Sequence, residues 1–507
     1  MTQSKSHKTF VLHPFLFAAY PVLALLAYNI EETRLSQVFR PLLSSLLAAV
    51  ALILIWKLIV KDWNKAGLFT TLTLVLFFSY GHIYNKLEPV QLFDISVGRH
   101  RFWIPVWIAL LTVGLWWANR RAWNFKAITQ TLNIIAVVAL VFPLFQIGQY
   151  EFRSIQLTSQ NTEAEVTAKL NLPEGQPAPD IYYIILDGYA REDILLKHYQ
   201  LDNSDFLEDL NLMGFYVARC SQSNYAQTQL SMASSLNSNY LENLDDRYTS
   251  GNTSRLGLPE WIKHSSVRQS LESLGYRIIA FDSGYDPTRL EDADKYLSPK
   301  IVQDINDFEG LFIRTTFARV LTEGIAFLNL PPDWEARDQA HRERILYTLE
   351  KLKDIPNEPG PKFVFAHIMS PHWPHVFGPN GEPVHERPDS VTGYTNQVIF
   401  ISGQILPVLT EIIENSKTPP IIIIQGDHGS VIESPQMRMS ILNAYYLPND
   451  VDKLLYEGIS PVNSFRVIFN EYFGDKAPLL EDISNYSLYD DPYNYQTVPI
   501  QRLGCPQ

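Results

Sequence analysis

Ile421-Ile422-Ile423-Ile424-Gln425-Gly426-Asp427-His428-Gly429-Ser430 is the stretch on which the fold turns. Four isoleucines in a row read as a strand buried on both faces, as in the middle of a parallel sheet with helices on either side. The run stops at Gly426 and sets Asp427 and His428 side by side at the strand's carboxyl end. In open α/β sheets that end is where ligands bind. A carboxylate next to an imidazole on a rigid strand is half of a metal site. The same residues also make an ordinary polar turn, and this stretch alone does not separate the two readings.

Two further stretches share its grammar. Asp180-Ile-Tyr-Tyr-Ile-Ile-Leu-Asp-Gly-Tyr189 is an apolar run that ends in Asp187 and Gly188. Lys362-Phe-Val-Phe-Ala-His-Ile-Met369 runs into Ser370-Pro-His-Trp-Pro-His375. Three buried strands ending in Asp187, in Asp427 with His428, and in the pair His372 and His375 imply one shared sheet edge.

The 507 residues suffice for several domains, and their charge is unevenly spread. Residues 1–150 hold 13 Lys+Arg against 5 Asp+Glu, net +8, so the remainder is net −21. So acidic a half is ill suited to a phosphate backbone, which argues against nucleic acid as a partner. The two cysteines, Cys220 and Cys505, form no CxxC, so thiolate zinc and redox motifs are excluded. They serve equally as a disulfide outside the cytoplasm or as two free thiols.

Residues 1–150 read as a transmembrane domain of five helices, near Phe10–Asn29, Pro41–Val60, Gly67–Tyr84, Phe102–Ala118 and Ile128–Ile147. Lys5, Lys8, Lys57, Lys61, Lys65, Arg120, Arg121 and Lys126 fall in alternate loops. These loops are cytoplasmic by the positive-inside rule, so five crossings leave everything after residue 150 outside. The chain is expected in the cell (inner) membrane, multi-pass, with its soluble half extracytoplasmic. No acidic residue lies mid-span, so the bundle reads as an anchor and lipid platform. Residues 151–179 are a polar linker, with a short helix expected near Glu163–Lys169.

In the soluble half, strands are expected at 181–186, 215–219, 276–281, 363–369, 421–424 and 440–447. Helical patterns cover 191–213, 267–274, 336–352, 392–415 and 462–473. This alternation predicts an α/β domain of three α/β/α layers with a mostly parallel sheet over 180–475. Residues 283–335 read as an irregular insertion near the site. The tail 476–507 is expected to pack on the domain. Residues Thr228, Leu230, Ala233 and Leu236 are spaced as a helix beginning near Thr228. Such an N-terminus turns free N–H groups toward a bound anion, while Thr228 would serve equally as the helix cap. Arg191 and Arg438 follow the two acidic strand ends and could grip a phosphate or headgroup, although surface or helix-end roles suit each at least as well.

Taken together these residues resemble the alkaline phosphatase superfamily, in its sulfatase-like branch. Five spans ahead of such a domain are similar to membrane-anchored lipoteichoic acid synthase and phosphoethanolamine transferase enzymes. The resemblance covers about residues 180–475, with the membrane half alike only in layout. It implies one divalent metal ion, Mn or Zn, held by Asp187, Thr228, Asp427 and His428, with Thr228 as the nucleophile. It also implies that His372 contacts the transferred phosphate. Asp187 departs from lipoteichoic acid synthases, which usually carry Glu there. No His follows His428 and Pro371 stands four before His375, so a two-metal site is not expected. His367, inside its strand, reads as a packed or supporting residue. His375 is assigned to protonate the leaving alkoxide or activate the acceptor.

The function implied is transfer or hydrolysis of a phosphoryl-containing headgroup, of phosphoglycerol or phosphoethanolamine type, at the outer face of the membrane. The substrate is a membrane lipid or an envelope glycan. The alternatives are an envelope phosphodiesterase or phosphatase, a sulfuric ester hydrolase, and a non-catalytic envelope-binding protein. A formylglycine sulfatase needs Cys or Ser in a C/S-x-P-x-R setting, which neither Cys220 nor Thr228 has.

Overall fold

The computed structural model describes residues 9–502, 504 and 505, apart from 32, 89, 93–94, 97–98, 121–122, 164–169, 173–176, 301–305, 324–332, 385–387, 431–433 and 449–453. The chain divides into two compact units. One comprises Met1–Arg153 with Gln303–Arg337, and the other Ser154–Val302 with Asp338–Gln507.

The first unit holds five apolar helices, α1 (His13–Tyr28), α2 (Leu35–Val60), α3 (Trp63–Leu87), α4 (His100–Arg120) and α5 (Phe125–Glu163). The last four are long and apolar enough to cross a membrane. The first has 16 residues, fewer than the about 20 of a typical span. The fifth outruns its expected end and takes up part of the linker; of the linker helix expected near Glu163–Lys169, residues 164–169 lie outside the described residues.

The catalytic domain expected over 180–475 is interrupted, because residues 303–337 cluster with the membrane helices. Sequence reading had placed this segment near the site as irregular chain. Its described residues include the helices Asp307–Thr315 and Arg319–Glu323 and the start of Asp333–Leu352. The first opens with a capping box between Asn306 and Glu309. Phe308 joins the cluster of Val22, Leu26 and Val38, and Phe312 packs on Phe78. At Gly81 a side chain would meet the Arg314 carbonyl at 2.2 Å, so only glycine admits so close a backbone approach.

In the second unit seven strands form one sheet: β1 (Ile181–Leu186), β2 (Tyr216–Val217), β3 (Arg277–Phe281), β4 (Lys295–Leu297), β5 (Lys362–Ile368), β6 (Ile421–Gln425) and β7 (Asn443–Tyr446). Their order is β2-β7-β6-β1-β5-β3-β4. The five strands from β6 to β4 run parallel; β7 pairs antiparallel with β6, and β2 antiparallel with β7. β1, β5 and β6 are buried along their whole length, as unbroken apolar runs require. The two faces of the sheet feed separate cores. Tyr183, Ile185 and Ile423 point into one, and Tyr182, Ile184 and Ile424 into the other.

The covering helices include α6 (Glu192–Tyr199), α7 (Ser204–Leu212), α8 (Thr228–Leu236), α9 (Asp333–Leu352), α10 (Ser390–Asn415), α11 (Pro435–Met439) and α12 (Pro461–Tyr472). The single helix expected over 191–213 is two, because Gln200 closes α6 in the left-handed conformation. The tail forms a hairpin of β8 (Asn485–Leu488) and β9 (Asp491–Thr497). It reaches the loop ahead of α8, where Asn485 N donates to Asn224 O at 2.8 Å and Gln227 Nε2 to Leu488 O at 3.1 Å. Cys220 and Cys505 are joined in a disulfide, with Cα atoms 5.6 Å apart.

Candidate metal centre

Register brings the two acids together. β1 pairs in parallel with β6 so that Ile185 faces Gln425, and two residues on Asp187 stands level with Asp427. Gly188 turns the chain at φ +74°, and its N–H donates to Asp427 Oδ1 at 3.0 Å. The Tyr394 hydroxyl, buried on α10, donates to Gly188 O at 2.7 Å and accepts from Ala190 N at 3.1 Å, fixing the turn from both sides. Ser231 of α8 donates to the Asp427 carbonyl at 2.6 Å. Gly429 packs so tightly that a Cβ would lie 2.1 Å from Met437 O.

Four polar atoms converge within this frame. His428 Nε2 lies 3.6 Å from Asp187 Oδ1, 3.5 Å from Asp427 Oδ2 and 3.4 Å from Thr228 Oγ1. His428 Nδ1 donates to the Gly429 carbonyl at 2.8 Å, so Nε2 presents its lone pair to the others. Asp187 Oδ1 and Asp427 Oδ2 are buried and accept no hydrogen bond. Thr228 is the first residue of α8 and Gln227 its N-cap, so the Thr228 hydroxyl stands inside the cap position and faces His428.

Buried carboxylate oxygens without donors are costly, and a cation is what such a group lacks. Ligands at about 2.0–2.1 Å from a four-coordinate zinc stand about 3.3–3.4 Å apart, close to the spacing seen. The donor set of two carboxylates, one imidazole and one hydroxyl fits Zn²⁺ or Mn²⁺.

The electrostatics agree with that fit. Burial alone would raise the Asp187 carboxyl, but His372, a hydrogen bond from His367 and then His428 hold it well below the usual carboxylate range. Burial, with Arg438 adding, pushes His428 down to about 4, so its imidazole is neutral at pH 7. His367 Nε2 lies 3.1 Å from Asp187 Oδ2, and its Nδ1 lies 2.8 Å from the Thr288 hydroxyl. With Nε2 donating to the acid and Nδ1 accepting, this imidazole orients Asp187 in the way outer-shell partners orient metal ligands.

His372 and His375 part company. His372 N donates to the Asp187 carbonyl at 3.0 Å, and its ring stands within ligand reach of Asp187 and His428. Its Nδ1 donates to Trp373 O at 2.6 Å, which leaves Nε2 for the site. His375 is buried against Gly393, with Nδ1 3.3 Å from the Gln397 amide. The loop turns it toward α10, where Gly393 leaves room for the ring.

Sequence reading missed Gln397 and His341. Gln397 Nε2 donates to Pro371 O and His372 O at 3.1 and 2.9 Å, and its Oε1 accepts from Val376 N at 2.9 Å. A fully buried amide thus holds the histidine loop in shape. The signal was a lone polar residue on the helical stripe of Tyr394, Val398, Ile401 and Ile405. His341 of α9 reaches Met369 O at 3.1 Å, and burial, followed by Arg344 and His372, pushes it down to about 4. No comparable signal marks it among the charges of that helix.

No family model matches the chain, and no curated protein resembles it in sequence. Among solved structures, the C-terminal periplasmic domain of EptC from Escherichia coli is similar at 12% identity and a TM-score of 0.43, over 64% of this chain and 93% of that one. Lipooligosaccharide phosphoethanolamine transferase A from Neisseria meningitidis, an integral membrane protein, is similar at 10% identity and 0.37, over 90% of this chain and 92% of that one. A 2-O GAG sulfatase is similar at 14% identity and 0.37, over 59% and 72%. Likeness at this level decides nothing about chemistry, which rests on the residues themselves.

Proposed function

We propose that this chain is a membrane-anchored, metal-dependent enzyme of the sulfatase-like kind that transfers a phosphoryl-containing lipid headgroup at the outer face of the membrane. One observation carries the reading: two buried carboxylate oxygens without donors face an imidazole lone pair and the hydroxyl of Thr228. Asp187, Asp427, His428 and Thr228 would hold the metal. When bound, a divalent cation lowers the pKa of a neighbouring hydroxyl and neutralises phosphoryl oxygens.

The residues then divide the work. Thr228 Oγ attacks phosphorus, forming a Thr228–phosphate ester as the bond to the lipid alcohol breaks. His372, at the half-buried mouth, carries the proton from the threonine hydroxyl to the departing oxygen. In the second half an acceptor hydroxyl attacks the same phosphorus, and Thr228 takes its proton back. The amide N–H groups at the start of α8 supply fixed positive charge beside the phosphate. His375 has no step; it belongs to the packing of its loop. The Lys and Arg clusters at 5–8, 57–65 and 120–126, in alternate loops, support the outer-face placement.

The test is incubation of the full-length protein with a phospholipid labelled in its headgroup. The expected result is label on an acceptor alcohol, release of diacylglycerol, and a transient adduct on Thr228 by mass spectrometry. Label passing only to water would make it an envelope phosphodiesterase. No metal bound and no turnover would leave a binding protein.

A further inference from the structure

Arg438 lies in α11, ten residues beyond His428, and its helix is stitched to the loop that carries Thr228. Ser223 N donates to Met439 O at 2.7 Å, and Gly429 N to Arg438 O at 2.6 Å. The Arg438 side chain turns the same way, and its Nε donates to the Ala226 carbonyl at 2.6 Å, two residues before Thr228. That bond uses one edge of the guanidinium. Among the described residues no hydrogen bond or ion pair takes up its two terminal nitrogens.

Other arginines of this unit are treated differently. Arg191 rests on Asp193 at 2.6 Å, Arg268 on Glu272 at 2.9 Å and Arg289 on Asp282 at 3.1 Å. Among the described residues Arg438 has no carboxylate at such a distance. Burial pulls its charge down, while Asp427 and Asp187, beyond ion-pair reach, pull it back up. Both acids belong to the metal centre, and a bound cation would claim their charge. A half-buried guanidinium whose terminal nitrogens bond no described group is placed to receive an anion that arrives with a ligand.

We propose that Arg438 is the anion-binding residue of this site, taking two oxygens of a phosphate-type group through its terminal nitrogens while Ala226 holds its Nε. The planar fork matches two oxygens of one tetrahedral phosphate better than a lone carboxylate oxygen or a neutral sugar. The inference rests on the phosphoryl-transfer reading above and adds the residue that selects for an anion. A lipid headgroup and free phosphate offer the same pair of oxygens, and the arms below separate them.

The experiment uses the full-length protein in detergent, loaded with Mn²⁺ or Zn²⁺. Inorganic phosphate is titrated by calorimetry into wild type, R438K and R438Q. R438Q should bind phosphate about tenfold more weakly or worse, and R438K should recover part of the loss, as expected for charge-assisted hydrogen bonds. The second arm needs no variant. Phenylglyoxal labelling of Arg438, read by peptide mass spectrometry, should fall when phosphate is present while labelling of Arg219 does not. The third arm compares turnover of phospholipid in mixed micelles. Arg438-dependent phosphate binding without lipid turnover would uphold this proposal and sink the transferase reading. Unchanged phosphate affinity in R438Q, or equal labelling of Arg438 with and without phosphate, would overturn it, whatever the lipid assay shows.

Discussion

Thr228 is the first residue of α8, one past the N-cap Gln227, and its hydroxyl faces His428 Nε2 at 3.4 Å. Its removal therefore costs the helix less than the about 1 kcal/mol of a lost cap. Thr228→Ala should unfold at an unchanged urea midpoint and lose turnover, whereas Thr228→Ser should keep part of it because the oxygen remains. Near-normal turnover in the alanine variant would pass the attack to water. His341 sets a pH dependence. Its pKa is pushed down to about 4 in the fold, chiefly by burial, against an ordinary value near 6.5. Above pH 6.5 neither state binds the proton and nothing is lost. As pH falls from 6.5 toward 4 the unfolded chain protonates first, so stability falls with it. Between pH 6.5 and 5 the share of His341 in that loss should be about 1–2 kcal/mol in urea unfolding. His428, also pushed down to about 4, adds a similar slope, so His341→Asn should remove about half of it. Asp187 does not interfere, because its lowered pKa keeps it charged in both states across this window.

At the scale of the element, α10 organises what the sequence left undecided. Gln397 ties three backbone groups of the histidine loop to one helix. Gln397→Leu fills the same space but leaves these groups unpaired, at about 2–4 kcal/mol. Turnover should drop with His372 out of place while metal content is kept, since α10 donates nothing to Asp427 or His428. Gln397→Glu keeps the acceptor for Val376 N–H and loses the donor, and should fall between. Metal lost in step with turnover would show that the helix serves the whole site. This dependence explains what was legible. β1, β5 and β6 were plain because strands buried on both faces must be apolar throughout, and parallel register then sets Asp187 level with Asp427. Ser-Pro-His-Trp-Pro-His offered two histidines on equal terms, and the pattern does not encode that His372 stands beside Asp187 while His375 packs on Gly393 and Gln397. β4, three residues long, carried no periodic signal. The break at Gln200 rests on one backbone conformation that the apolar pattern does not encode.

At the scale of the molecule, charge and covalent linkage point to the same compartment. The first 150 residues are net positive and the remainder net −21, and that acidic remainder carries both cysteines. The tail that Cys505 ends is also held by Arg502, which donates to the Arg219 carbonyl and pairs with Glu192. Cys220 lies next to Arg219, so the bond and the ion pair pin one end of the tail, while the β8–β9 hairpin braces the loop ahead of Thr228. A bridge across a sequence separation of 285 residues restrains the unfolded chain strongly. Cys505→Ser should therefore lower the unfolding free energy of the soluble half by about 2–4 kcal/mol. Such a bond persists only outside the reducing cytoplasm, so it also tests the five-crossing topology. In cells treated with a maleimide that crosses membranes, neither cysteine should label until a reductant is added. After proteolysis between residues 220 and 505 the two fragments should run as one band without reductant and as two with it. Labelling of both thiols in untreated cells would put the soluble half in the cytoplasm, and a lipid of the outer leaflet would then be beyond the reach of Thr228.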